Sequence, residues 1–591
     1  MKVFIWIILL FQVILAADRA HHAKLRQHAQ ENFKCLILEE NNVRTFKGFT
    51  SSDPDEIKVF TKPAIYAPAE MMLATDHSLR VIEIYAKSLN SLKSYIDSIC
   101  KSIELVPAFS IKKRQTGENL DVEKIVDSGD PANRIDVVFM GDGYTADERE
   151  QFFGDIRRLT DDMFNGETFR SYLPLFNIWA VFVESVESGI GYDGPKDTAF
   201  RLYRTAGTLR GVFTANAQFA RQLCQEMGPA SCDYPSIIGN DDYYGGLEGE
   251  FVISTKSNRT GTVVLRHEMG HNFVNVGEEY DNGSSYFGVN SASNLANVTH
   301  KWGHWLTGQS VREERATYRL LAYPWADLSR GQQSFPFISD GNYSRWYILV
   351  SVSAAGEENS LEFVLDGEVL PWQSRMSDDR EFYDWHGNDG FTAGEHSFIV
   401  RSLTPSTNLN IPRMICSITI HEFGTEEEFQ SQNDVVSAYP TWDVARRVTY
   451  RPTNAGCLMR NMTSNYFCSV CKEGMWYQFL QRISLIDAVK VHQTPNADRT
   501  KRVVLNTLKL GQLREGGTEI DNERLEIRWS HSGLDRPEFD DRFEIDAEGG
   551  AWSVLVKFFT PEVRYDPNGL LQDVEYFTVT FQANSTSTGT P

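Results

Sequence analysis

Residues Val263–Tyr280 read VVLRHEMGHNFVNVGEEY and contain His267-Glu268-x-x-His271. Two histidines four apart lie on one face of a helix, one turn above the other, so both imidazoles can reach a single ion. A catalytic zinc takes three protein ligands and keeps one position open for water. Glu268 stands beside the pair, where a carboxylate can take a proton from that water. Thr260 or Thr262 is the expected helix cap. Val263, Val264, Leu265, Met269, Phe273, Val274 and Val276 surround the motif with apolar surface, so it reads as a buried central helix, with Gly277 as its stop. After the glycine the chain can swing a side chain back toward the metal. Glu278 is the candidate third ligand and Glu279 the alternative. The competing reading is a core helix whose histidines bond to backbone carbonyls.

Around this helix the sequence alternates strands and helices. Ile135–Met140 is a short apolar run ending in the turn Gly141–Tyr144. Thr145 and Glu148 form a capping box for a helix through about Met163. Phe176–Val186, Tyr234–Ile238 and Glu250–Thr255 read as strands, and Thr214–Met227 as a helix. This is the pattern of an α/β sheet with helices on its faces. The last strand leads straight into the His-containing helix and is expected to flank a cleft, where an extended peptide can pair with its backbone. Gly141-Asp142-Gly143-Tyr144 lacks the rest of a phosphate loop and reads as a turn, with Asp142 structural.

The chain has 591 residues, too many for one core, and a net charge of −22. That balance argues against a nucleic-acid binder, which needs a basic face. Lys2 followed by the apolar run Val3–Ala16 has the pattern of a signal peptide, too short for the roughly 20 residues that span a bilayer. No later stretch is apolar enough for a membrane span, so the expected product is secreted and extracellular. Eight cysteines suit such a chain. Cys224 and Cys232 are close enough to pair. Cys457 with Cys468-x-x-Cys471 admits a second metal site, but no second Cys-x-x-Cys completes it, and disulfides are the favoured reading there. Asn258, Asn282, Asn297, Asn342, Asn461 and Asn584 head glycosylation sequons.

The expected domain order is a signal peptide (1–16), a β-rich domain or prosegment (17–125), a lobe carrying the zinc helix (126–316), an inserted β domain (317–425), a second catalytic lobe (426–490) and a sandwich-like β domain (491–591). In the inserted region Arg345–Ser353, Ser360–Leu370, His396–Leu403 and Ile415–His421 read as strands, with Asp366-Gly367 as a hairpin turn. In the last region Leu525–Trp529, Trp552–Phe559 and Val574–Phe581 do so.

Three segments together, FMGDGYTADE (139–148), HEMGHNFVNVGEEY (267–280) and YRPTNAGCLMRNMTSNYFCSVC (450–471), resemble the IgA-peptidase family of zinc metallopeptidases. The resemblance implies a metzincin-like two-lobed fold with zinc in the cleft and a protein or peptide as substrate. It implies His267, His271 and Glu278 as ligands and Glu268 as general base. Cys457–Arg460 looks like the Met-turn that lies under the zinc, with Met459 as its methionine. The family's acid is usually aspartate, and this chain has the longer glutamate at 278. Tyr280 and Tyr466 are the candidate oxyanion donors. The rival expectations are a non-catalytic secreted binding protein on a zincin scaffold, which metal analysis would separate, and a zinc amidase.

Overall fold

Ile135–Asp142 becomes the central strand of a five-stranded sheet, and every one of its residues is buried. The computed structural model describes residues 120–581 apart from 229–230, 275, 284, 309, 322–324, 409, 444 and 493–499, together with a few earlier strands. We label the elements β1 (Asp121–Val126), β2 (Ile135–Asp142), α1 (Arg149–Phe164), β3 (Phe176–Phe182), α2 (Ala217–Met227), β4 (Tyr234–Gly239), β5 (Val252–Thr255), α3 (Gly261–Phe273), α4 (Leu295–Trp302) and α5 (Ser469–Leu480). The sheet order is β5-β4-β2-β3-β1. All neighbours run parallel except β1, which is antiparallel to β3. Strands buried on both faces need continuous apolar sequence, which is why β2 reads IDVVFMGD rather than alternating.

The capping box holds: the Glu148 carboxylate accepts from the Thr145 amide at 2.8 Å, and α1 follows. Asp142 is structural, as expected. Its buried carboxylate accepts from the Phe200 amide (2.6 Å), the Leu202 amide (2.8 Å) and the Thr198 hydroxyl (2.9 Å), tying the end of β2 to the next loop. Cys224 and Cys232 form a disulfide.

Two readings at the edges of α3 need correction. Thr260 is the N-cap residue, as one of the two expectations had it, but its hydroxyl makes no cap hydrogen bond to the helix. Ser257 Oγ instead accepts from the Thr260 amide (3.1 Å) and the Arg259 amide (3.2 Å). Asp379, from far downstream, accepts from the hydroxyls of Thr260 (2.6 Å) and Ser257 (2.9 Å). A buried acid at the positive end of a helix is favourable there, and burial of its carboxyl is offset by these donors. Gly277 is not the stop either. The helix ends at Phe273, and a Cβ on Gly277 would lie 2.5 Å from the Phe287 amide nitrogen and 2.6 Å from the Ser285 carbonyl oxygen. The glycine is required for close passage of two backbones. The strand β5 is the sheet edge, but its outer side is partly occupied: Leu247 and Ile253 exchange backbone bonds of 3.1 and 3.0 Å as an antiparallel bridge.

Residues Ala316–Phe423 form two antiparallel sheets over an apolar core of Ile348, Val350, Phe363, Phe398 and Ile418. The Asp366-Gly367 turn has positive φ at both residues (51° and 89°), the conformation that suits a two-residue hairpin. Further sheets follow from Ile486, where the strand Ile486–His492 crosses the expected boundary at 490. Their buried residues, Val503, Trp529 and Val554 among them, join one apolar cluster with β2, β3 and α5. The link is concrete: Trp476 on α5 packs on Phe558 at 5.0 Å between ring centroids. No helix of the described residues is long and apolar enough to cross a membrane.

Residues 1–119 form a separate unit, in which Phe33–Glu39, Lys58–Pro63 and Arg80–Ala86 pair as antiparallel strands. The leader expected over Val3–Ala16 lies, but for Ile7–Ile8, outside the described residues, as does Lys112-Lys113-Arg114, a candidate processing site or solvated loop.

Candidate active site

The helix α3 presents His267 and His271 from consecutive turns, with ring centroids 4.9 Å apart. Glu278 returns from the bend behind the helix. Its Oε2 lies 3.3 Å from His267 Nε2 and its Oε1 3.3 Å from His271 Nε2. Each residue offers one ligand atom to a group in which all such atoms lie within 4.8 Å of one another. The other imidazole nitrogens face backbone carbonyls: His271 Nδ1 to Val276 at 2.9 Å and His267 Nδ1 to Leu458 at 3.4 Å. Nδ1 atoms donating there leave both Nε2 atoms on the side of Glu278, the usual support for a metal-binding histidine. Glu248 also approaches His271 Nδ1, at 3.4 Å.

The alternative ligand is placed elsewhere. Glu279 turns away from this triangle into the core, where Asn290 Nδ2 donates to its Oε1 at 2.8 Å. Adjacent residues of an extended segment face opposite ways, so the two acids part, Glu278 toward the histidines and Glu279 toward the core.

The carboxylate and the two imidazoles of this triangle set each other's charge. Burial pushes the Glu278 carboxyl up, but the charges of His271 and His267 outweigh it and hold the group well below the usual carboxylate range. Burial lowers the His271 imidazole, and the Glu278 charge reverses that and raises it to about 10. His267 is raised by the same balance. At Glu268 burial outweighs the charges of His267 and His271 and pushes the carboxyl up to about 7. That places it near neutrality, where a general base works best, and a cation beside it would pull it back down. A Cβ on Gly246 would lie 3.3 Å from Glu268 Cγ, so the backbone at the entry to β5 runs close along the Glu268 side chain.

The segment Cys457–Arg460 passes beneath α3. A Cβ on Gly270 would meet Met459 Sδ at 3.2 Å, so the missing side chain between the two histidines makes room for the methionine. The Met459 carbonyl accepts from the Glu279 amide at 3.0 Å. Of the two tyrosines, Tyr280 reaches the site: its hydroxyl donates to Glu278 Oε1 at 2.8 Å. Tyr466 pairs its hydroxyl with Asn433 instead.

Several supporting residues carry no local signal in the sequence. Asp281 is buried and accepts from Arg460 Nη1 (2.7 Å), the Trp442 amide (3.0 Å) and His421 Nε2 (3.1 Å). Burial raises its carboxyl, and the Arg460 charge overrides that and holds it well below the usual range. Arg460 also donates to the Glu279 carbonyl at 3.1 Å. The bend carrying Glu278 is thereby fixed to the segment under the helix and to the strand Met414–Phe423.

The comparisons agree with this geometry in one respect. Residues 123–312 match the model of a family described as IgA Peptidase M64. No curated protein matches the chain. Among solved structures, a family 35 carbohydrate binding module from Clostridium thermocellum is 6% identical, covering 19% of this chain and 88% of that one, with a TM-score of 0.13. The C-terminal CBM6 of a laminarinase from Zobellia galactanivorans is 16% identical, covering 18% and 90%, also at 0.13. Likenesses that weak carry no argument. The family match does, because residues 123–312, which resemble the IgA peptidase M64 family, span both histidines, Glu268 and Glu278.

Proposed function

We propose that the protein is a secreted zinc-dependent metalloendopeptidase on a metzincin-like α/β zincin scaffold. The family match over residues 123–312 supports a peptidase, with protein or peptide as substrate. The observation that carries the finer reading is a distance. Zinc–nitrogen and zinc–oxygen bonds of about 2.0–2.1 Å in a tetrahedron set ligand-to-ligand edges of about 3.3–3.4 Å. Glu278 stands 3.3 Å from each Nε2. These contacts run through Oε2 at His267 and Oε1 at His271, so His267, His271 and Glu278 would hold the ion once the carboxylate turns one oxygen toward both imidazoles. The donor set, two imidazoles and a carboxylate, is one that catalytic zinc uses.

Zinc, when bound, supplies Lewis acidity that brings the pKa of a water toward about 7. Glu268 accepts the proton of the attacking water and delivers it to the leaving amine. Tyr280, 38% exposed at the mouth of the site, is placed to donate its hydroxyl to the developing oxyanion. Gly246–Leu247, beside both Glu268 and β5, is the stretch of backbone against which an extended substrate would lie. The reading of Val3–Ala16 as a leader supports secretion.

The test is cleavage of a diverse peptide library by the purified chain, with and without a chelator. New peptide termini that vanish with chelation and return with zinc support the proposal. Cleavage unaffected by metal removal overturns it.

A further inference from the structure

Behind the first triangle lies a second convergence that the peptidase chemistry does not use. Cys457, Cys468, Cys471 and Glu279 are 0%, 4%, 0% and 0% exposed. Their ligand atoms all lie within 4.8 Å of one another. The expectation of disulfides here is not met: all three cysteines are free thiols. Cys457 Sγ is 3.8 Å from Cys471 Sγ, and Cys471 Sγ is 3.8 Å from Glu279 Oε1. Zinc–sulfur bonds of about 2.3 Å in a tetrahedron require sulfur–sulfur edges of about 3.8 Å, with sulfur–oxygen edges a few tenths shorter. Glu279 Oε2 is buried without any hydrogen bond. An acid oxygen left bare in a core costs several kcal/mol unless a cation or donor meets it.

We infer that Cys457, Cys468, Cys471 and Glu279 form a second, structural zinc site. The chemistry favours zinc over a disulfide. Joining any two of the three sulfurs would leave a third thiol and the orphaned carboxylate oxygen still buried. A soft, sulfur-rich, tetrahedral set selects zinc among the common divalent ions. Cys468 stands at the N-cap position of α5, with Cys471 in its first turn, at the end of the helix whose dipole favours negative charge. Positive charge balances the cluster from one side, since Arg460 Nη1 donates to the Glu279 carbonyl at 3.1 Å. All four positions belong to the protein, so the site is closed and supplies structure rather than chemistry.

Its role follows from chain connectivity. Glu278 faces the first site and Glu279 the second, so adjacent residues serve two ions placed back to back. The second ion would clamp the bend after α3 to the segment carrying Met459 and the start of α5, two parts of the chain far apart in sequence. The bend could not then slide without breaking a metal bond, and the Glu278 carboxylate would keep its distance from the histidines.

The inference stands or falls apart from the peptidase reading. Full-length protein purified without chelator should carry two zinc ions per chain by elemental mass spectrometry, and the double variant H267A/H271A one. Cobalt exchanged into both proteins should give near-ultraviolet thiolate-to-cobalt charge-transfer absorption of equal strength, because the histidines do not contribute to it. C468S should lose that absorption and one zinc. Should C468S fail to fold, the H267A/H271A spectrum still decides. A cobalt-loaded H267A/H271A protein without thiolate absorption overturns the inference, as does a non-reduced tryptic map linking any two of the three cysteines.

Discussion

Replacing Asp281 by alanine tests whether the bend behind α3 is held by charge. The Asp281 side chain is fully buried, and Arg460, only 10% exposed, approaches it at 2.7 Å. With the carboxylate gone, Arg460 would face His421 at 3.5 Å with no anion in its place. The Trp442 amide would lose its acceptor at 3.0 Å. Removing one partner of a buried pair costs about 3–5 kcal/mol, mostly because the remaining charge is stranded. D281A should therefore lower the unfolding free energy by about that amount in urea titrations followed by tryptophan fluorescence. The double variant D281A/R460M removes the stranded charge and should recover about half of the loss or more. Because Glu278 rides on the same bend, D281A should also bind zinc more weakly in chelator competition. A loss under about 1 kcal/mol, or no recovery in the double variant, would refute the claim that this ion pair fixes the bend.

Three further outcomes are expected. E268Q should retain zinc at the wild-type level while cleavage falls by about 10²–10⁴-fold, the usual worth of a general base; elemental analysis and initial rates on one cleaved peptide check it. G277A should weaken zinc binding in the same chelator competition, since its Cβ would lie 2.5 Å from the Phe287 amide nitrogen and the bend must move. The third concerns pH. Burial raises the Asp136 carboxyl to about 6, with Trp179 and Asn177 donating to Oδ1 in partial compensation. The ordinary aspartate value is about 4. The folded chain thus holds this proton more tightly than the unfolded one. Its contribution is fully present below about pH 4 and is lost as pH rises to about 6. Urea midpoints across that window should show a shallower fall for D136N than for wild type.

The local parts of the site were legible in the sequence. His267, Glu268 and His271 have fixed spacing on one helix, and Glu278 follows seven residues after His271, past the bend, so short-range geometry decided what they face. The central strand was legible because a strand buried on both sides leaves an unbroken apolar run. Contacts between distant residues were not. The helix start depends on Asp379, more than a hundred residues downstream, and the residues at 260 and 262 give no sign of it. Gly277 looked like a helix stop because glycine serves that role often; its actual constraint, two backbones in contact, depends on residues 285–287. The cysteines at 457, 468 and 471 looked like disulfide partners because the fourth ligand of their cluster is a glutamate from another segment. Spacing along the chain carries no information about such a meeting.

The most direct check of the account is anomalous X-ray scattering from crystals of the chain grown with zinc, recorded on both sides of the zinc edge. The account predicts a peak within bonding distance of His267 Nε2, His271 Nε2 and the Glu278 carboxylate, with Glu268 beside it and unbound. A map with no peak there, or a peak ligated by Glu268 in place of Glu278, would contradict it.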